Sequence, residues 1–248
     1  MEMNKGIILM TRNFALATLI LLLFYISTHV SAWLNLSGWP VWCRIGLPYL
    51  IWSLTISVFW PFYRWRLFAI TGLSGSFKRG VIWAVVFVLP MIAGFALTGE
   101  IAEFSLTTLL TKSVLPGFFE ELMFRGFLVG MLISLARWHF FPAALASALL
   151  FGIGHWFQGA TPTEALIASA FTGVGGLWFA WLFIAWQRNL WLVASLHILM
   201  NACWVIWQVD NTVIGGQLAN VLRLTTIALS IFITVMINRS SRYTDNEI

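Results

Sequence analysis

Apolar positions along this chain fall into runs of roughly 20 residues, each closed by a short polar or glycine-bearing interval, and none alternates with the period of two that a half-buried strand requires. Runs of that length are long enough to cross a bilayer as helices. They predict spans near 14–34, 45–63, 81–97, 117–136, 140–157, 164–186, 190–209 and 218–237. The predicted fold is therefore all-α: a single membrane-embedded domain, 1–248, built as a polytopic transmembrane helix bundle of about eight spans. Pro90 lies inside the third run, which membrane helices tolerate when neighbours satisfy the freed carbonyl. Pro116 stands at the start of the fourth, where its missing N–H is harmless. Residues 104–115 are amphipathic and fit either an interfacial segment or an early extension of that fourth helix.

Composition agrees with the pattern. The chain is 60% hydrophobic and 9% charged, against about 25% charged in an ordinary soluble domain. Its net charge of +5 does not point to nucleic acid, because the basic residues sit in short loops and form no patch long enough to follow phosphates. They report topology instead. With the N-terminus in the cytoplasm, Lys5, Arg12, Arg64, Arg66, Lys78, Arg79, Arg137, Arg188, Arg239 and Arg242 fall inside, and only Arg44 and Lys112 fall outside. Both termini are then cytoplasmic. Cys43 and Cys203 make neither a disulfide framework nor a metal motif.

Three ionisable side chains interrupt the fourth run: Glu120, Glu121 and Arg125. Each costs roughly 2.5–3.5 kcal/mol near a bilayer centre, so three in one helix call for a reason. Residues four apart share a helix face, so Glu121 and Arg125 can pair, whereas Glu120 points about 100° away. One carboxylate braces the helix and the other is available for chemistry. Two later spans carry further polar residues, Phe151 with His155 in the fifth and His197 with Asn201 in the seventh. His197 and Asn201, again four apart, project from one face. Each pair alone is as readily packing or interhelical glue as catalysis.

The ordered set Glu-Glu-x-x-x-Arg, Phe-x-x-x-His and His-x-x-x-Asn on three spans resembles the CPBP family, the CAAX-protease and bacteriocin-processing intramembrane peptidases also called Abi. The likeness covers about residues 116–205. It implies a water activated by Glu120 and His155, an oxyanion stabilised by His197 and Asn201, and a supporting role for Glu121 and Arg125. It further implies a membrane-associated peptide or protein substrate, prenylated or bacteriocin-like, and a bacterial inner (cell) membrane location. Glu120, His155 and His197 also make a ligand set for a divalent metal such as zinc, although a metal-free glutamate mechanism suits the residues as well. Two other classes remain open: a proteolytically inactive scaffold or regulator of a partner membrane protein, and a proton-coupled transporter, which would predict inverted repeats.

Of the remaining features, His29 and His139 lie beside tryptophans at span ends, as interface anchors do. The glycines at 126 and 130, and at 173, 175 and 176, predict close helix approach. Arg223 is expected to snorkel outward or to pair with Asp210. One tension follows from the topology: it puts Glu120 and His155 in the outer half of the membrane, unless residues 104–115 extend and deepen the fourth helix.

Overall fold

The computed structural model describes residues 2–34, 36–99, 101, 103–209 and 214–245, and every described element is helical. The first helix, α1 (Glu2–Trp33), is followed by α2 (Val41–Ser57) with the short α3 (Trp60–Tyr63), by α4 (Arg66–Thr71) in the next loop, and by α5 (Phe77–Thr98). Then comes α6, an unbroken rod over 106–134. It joins α-helical turns at Leu106–Leu109, Leu115–Glu121 and Gly130–Ser134 through π-helical stretches at Leu110–Val114 and Leu122–Val129. The bundle closes with α7 (Phe140–Ile153), α8 (Pro162–Ala185), α9 (Leu190–Ile206) and α10 (Gln217–Asp245).

These are the elements that the apolar runs predict, with α3 as the last turn of the second span and α4 as an additional short helix. Six helices, over Gly6–Val30, Val41–Tyr63, Phe77–Thr98, Phe140–Gln158, Pro162–Ala185 and Gln217–Arg239, are each long and apolar enough to cross a membrane. The shorter apolar α9 and the composite α6 bring the bundle to about eight, and the protein is an integral membrane protein.

Helix starts follow local chemistry. The Ser105 hydroxyl accepts from the Thr108 amide at 3.0 Å, so α6 begins there and 104–115 is mostly an extension of the fourth helix. At α8, the Thr161 hydroxyl accepts from Glu164 N at 3.2 Å while the Glu164 carboxylate accepts from Ala160 N at 3.0 Å, a reciprocal cap.

One end of the bundle is tied together by polar bonds between loops. Leu190 N donates to the Gly72 carbonyl at 3.2 Å, the Asn189 amide to Ser76 O at 3.0 Å, Arg188 to the Ser134 hydroxyl, and Asn238 to Ala185 O at 3.3 Å. Gly72 has φ +81°, and a Cβ there would collide with the Arg188 carbonyl. Lys78, Arg79, Arg137, Arg188 and Arg239 are carried by these same segments, so the basic residues grouped by the sequence pattern share one end. Beneath this end, Gly126 and Gly130 let α6 lie against the carbonyls of Thr71 and Ile70. Gly173 and Gly176 likewise face α7, whereas Gly175 has open space around it.

The core lies around α6. All eight residues of its second π stretch are buried, and Arg125 is the largest fully buried side chain. A π turn leaves backbone groups out of the regular ladder. The buried Ser147 hydroxyl of α7 bonds to this stretch, donating to Phe124 O at 3.1 Å.

Candidate active site

Glu120 lies fourteen residues from each end of α6, about 21 Å at 1.5 Å per residue. The fourth helix is thus longer than its apolar run, whereas His155 still lies just past the end of α7. The carboxylate is at mid-helix, and not displaced toward one face as the shorter 117–136 span implies.

Glu121 is fully buried. Its Oε1 accepts from Arg125 Nη1 at 2.8 Å, the pair read from the four-residue spacing. The same oxygen lies 2.8 Å from His197 Nδ1 on α9. An ionised carboxylate only accepts, so Nδ1 carries the proton and the ring's other nitrogen turns away from Glu121. That nitrogen, Nε2, is 3.8 Å from Glu120 Oε2, with the two side chains 14% and 21% exposed. Glu121 thus does more than hold Arg125: it sets the tautomer and direction of His197 toward the second carboxylate.

Arg125 is enclosed. Its guanidinium lies 4.6 Å from the Phe151 ring centroid and 5.2 Å from that of Phe179, and Nη2 donates to Gly176 O at 3.4 Å. A desolvated cation over an aromatic face gains about 2 kcal/mol or more, which offsets part of the cost of burying the charge. Phe151 is thereby more than a spacer in its motif. Its carbonyl accepts from His155 Nδ1 at 2.7 Å, and its ring lies 4.6 Å from the His155 ring and 6.4 Å from that of His197. The bond to a carbonyl assigns the proton to Nδ1 and leaves His155 Nε2 as an acceptor.

A cavity of about 2130 Å³ collects the predicted residues. Glu120, His155, His197 and Asn201 all line it, on α6, just past the end of α7, and on α9. Glu121 and Arg125 stand behind its wall, fully buried. Among the described residues no three His, Cys, Asp or Glu side chains come together as metal ligands, so Glu120, His155 and His197 do not close the three-ligand set that the sequence allows.

Two residues were not singled out by the sequence. Ser113, fully buried on α6, donates to Ile198 O at 2.7 Å, locking α9 beside its neighbour. Gly117, one turn later, allows α9 a close approach: a Cβ there would lie 2.6 Å from Ile198 Cγ1 and 2.8 Å from Ile198 N. A Ser-x-x-x-Gly spacing is the small-residue signal that could have found both. Arg223 does not snorkel outward. It is 9% exposed and turns inward to line the cavity, while Asp210, its suggested partner, lies outside the described residues. The histidines at 29 and 139 do not line the cavity.

Residues 102–203 match the family described as type II CAAX prenyl endopeptidase Rce1-like, and this segment contains all three motifs. No curated protein and no solved structure matches the chain. The match shows the resemblance to the CAAX-protease family on a segment of 102 of the 248 residues, which carries the whole of α6, α7 and α8 and most of α9.

Proposed function

We propose that this membrane protein, with its Rce1-like segment as the premise, is an intramembrane endopeptidase that hydrolyses a peptide bond of a membrane-associated peptide or protein. The observation that carries this reading is the approach of Glu120 Oε2 to His197 Nε2 at 3.8 Å, on the wall of a cavity that His155 and Asn201 also line. At that separation the two atoms do not saturate each other by hydrogen bonding, and both remain available to a third group.

In the proposed reaction a water placed by Glu120 and His155 Nε2 attacks the scissile carbonyl. As the O–C bond forms, its proton passes to the Glu120 carboxylate. His197 in its cationic form and the Asn201 amide donate to the oxyanion, while Glu121 holds the His197 ring in register. The C–N bond then breaks as Glu120 returns the proton to the leaving amine. The balance is one water consumed and one carboxylic acid and one amine produced, which leave as carboxylate and ammonium once the acid's proton has passed to the amine.

A prenylated tail is the substrate class we favour. The cavity wall includes Ile167, Phe171, Val174, Leu224 and Ile227, apolar surface suited to an isoprenoid chain. The basic end of the bundle is assigned to the cytoplasm on the charge asymmetry. The deciding experiment uses the purified protein in lipid vesicles with an S-farnesylated peptide ending in Cys–aliphatic–aliphatic–Met. Glu120→Gln is expected to lower cleavage by about 10²–10⁴-fold with an unchanged unfolding midpoint, and cleavage is expected to persist under strong chelation. Undiminished cleavage by Glu120→Gln would overturn the mechanism. A biological effect that survives Glu120→Gln undiminished would identify a scaffold instead.

A further inference from the structure

The cavity holds a second charged group that the proposed chemistry does not use. Arg223, in the second turn of α10, is more than nine-tenths buried, and its guanidinium lies 4.4 Å from the Trp204 ring centroid and 4.9 Å from that of Phe171. Among the described residues no carboxylate or other acceptor pairs with it, yet it lines the cavity together with Glu120 and His197. A guanidinium packed on aromatic rings can still offer its N–H edge to a planar anion, which it grips through two parallel hydrogen bonds. Removing such a cation from water without supplying an anion costs several kcal/mol.

We infer that Arg223 is a specificity-determining residue that receives the free α-carboxylate at the C-terminus of the peptide substrate. The inference rests on the endopeptidase reading and deepens it. Helix spacing carries it further. His197, Asn201 and Trp204 stand at i, i+4 and i+7 on α9, one face of the helix. Trp204 is therefore about 10 Å along the axis from His197. An extended peptide covers about 3.3–3.6 Å per residue. A chain whose terminal carboxylate docks on Arg223 lays the bond about three residues upstream beside Glu120 and His197. Arg223 lies outside residues 102–203, so the match to the endopeptidase family does not supply this assignment.

The test compares two S-farnesylated peptides identical except for a C-terminal carboxylate or carboxamide, with the full-length protein in vesicles of phosphatidylcholine alone or with phosphatidylglycerol. Binding is read by fluorescence anisotropy and cleavage by mass spectrometry, for the wild type, Arg223→Gln, Arg223→Lys and Asp210→Asn. The wild type is expected to bind the acid at least 10-fold more tightly than the amide. Arg223→Gln is expected to erase that preference by weakening the acid alone, Arg223→Lys to restore part of it, and Asp210→Asn to leave it intact. Cleavage of both peptides with no preference, or a preference that survives Arg223→Gln, overturns the assignment and leaves the peptidase standing. A preference in binding without any cleavage does the reverse. If Arg223→Gln instead abolishes only a dependence on phosphatidylglycerol, the anion is a lipid headgroup and the carboxylate assignment is overturned. Loss of the preference in Asp210→Asn makes Arg223 half of an internal ion pair and likewise overturns it.

Discussion

The two ends of this bundle are built on different terms. At the basic end, Gly72, Ser76, Ser134, Ala185 and the turn at 188–190 are joined by direct hydrogen bonds, and Gly72 leaves no room for a side chain. The other half opens into a cavity of about 2130 Å³ whose polar groups, Glu120, His197, Asn201 and Arg223, meet few protein partners. One end spends its polar atoms on itself and the other holds them in reserve. Between them lies the buried Glu121–Arg125 pair, which belongs to the closed half by its bonds and to the open half by what it orients, His197. The difference teaches that in a helix bundle a tightly bonded end and an open polar cavity can be separated along the helix axes.

That separation can be broken at its middle first. Arg125→Met strands a buried carboxylate, and the expected cost is about 3–5 kcal/mol of stability, read as a fall in the detergent unfolding midpoint, with cleavage lost in parallel because Glu121, which holds His197, loses its counter-charge. Asn201→Ala sharpens the open side: loss of an oxyanion donor is expected to lower kcat by about 10²–10³-fold, or roughly 2.7–4 kcal/mol of barrier, while the unfolding midpoint stays put. Gly72→Val tests the closed side, where positive φ and the Arg188 carbonyl together predict a loss of about 1–3 kcal/mol and unchanged cleavage per folded molecule. Smallest is Ser113→Ala, which removes the bond to Ile198 and should cost about 1 kcal/mol. Should Gly72→Val reduce kcat as strongly as Asn201→Ala, the two ends would be coupled and the comparison would fail.

How far the sequence shows this arrangement depends on the range of the interaction. The spans were legible because a bilayer demands long apolar runs, and α5, α7 and α8 begin or end within a few residues of the apolar pattern. The split between Glu120 and Glu121 was legible because a four-residue spacing is a property of one helix. The fate of residues 104–115 was not, since an interfacial helix and an amphipathic extension have the same periodicity; the Ser105 cap and the continuous backbone decide it. The π stretches left no periodic trace, because every residue of the longer one is apolar or buried whichever way it turns. Nor was the contact between Glu121 and His197 readable, as it spans 76 positions and depends on how two helices meet. The inward turn of Arg223 was not legible either, because position near a helix start favours snorkelling, whereas the side chain packs against Trp204 and Phe171.

The symmetrical placement of Glu120 in its rod has a mechanical consequence. When a membrane thins, a long helix responds by leaning more than by sliding, and a lean about the centre moves the extremities while the fulcrum stays still. With fourteen residues on either side of it, Glu120 would shift in depth less than either end of 106–134 under such a lean.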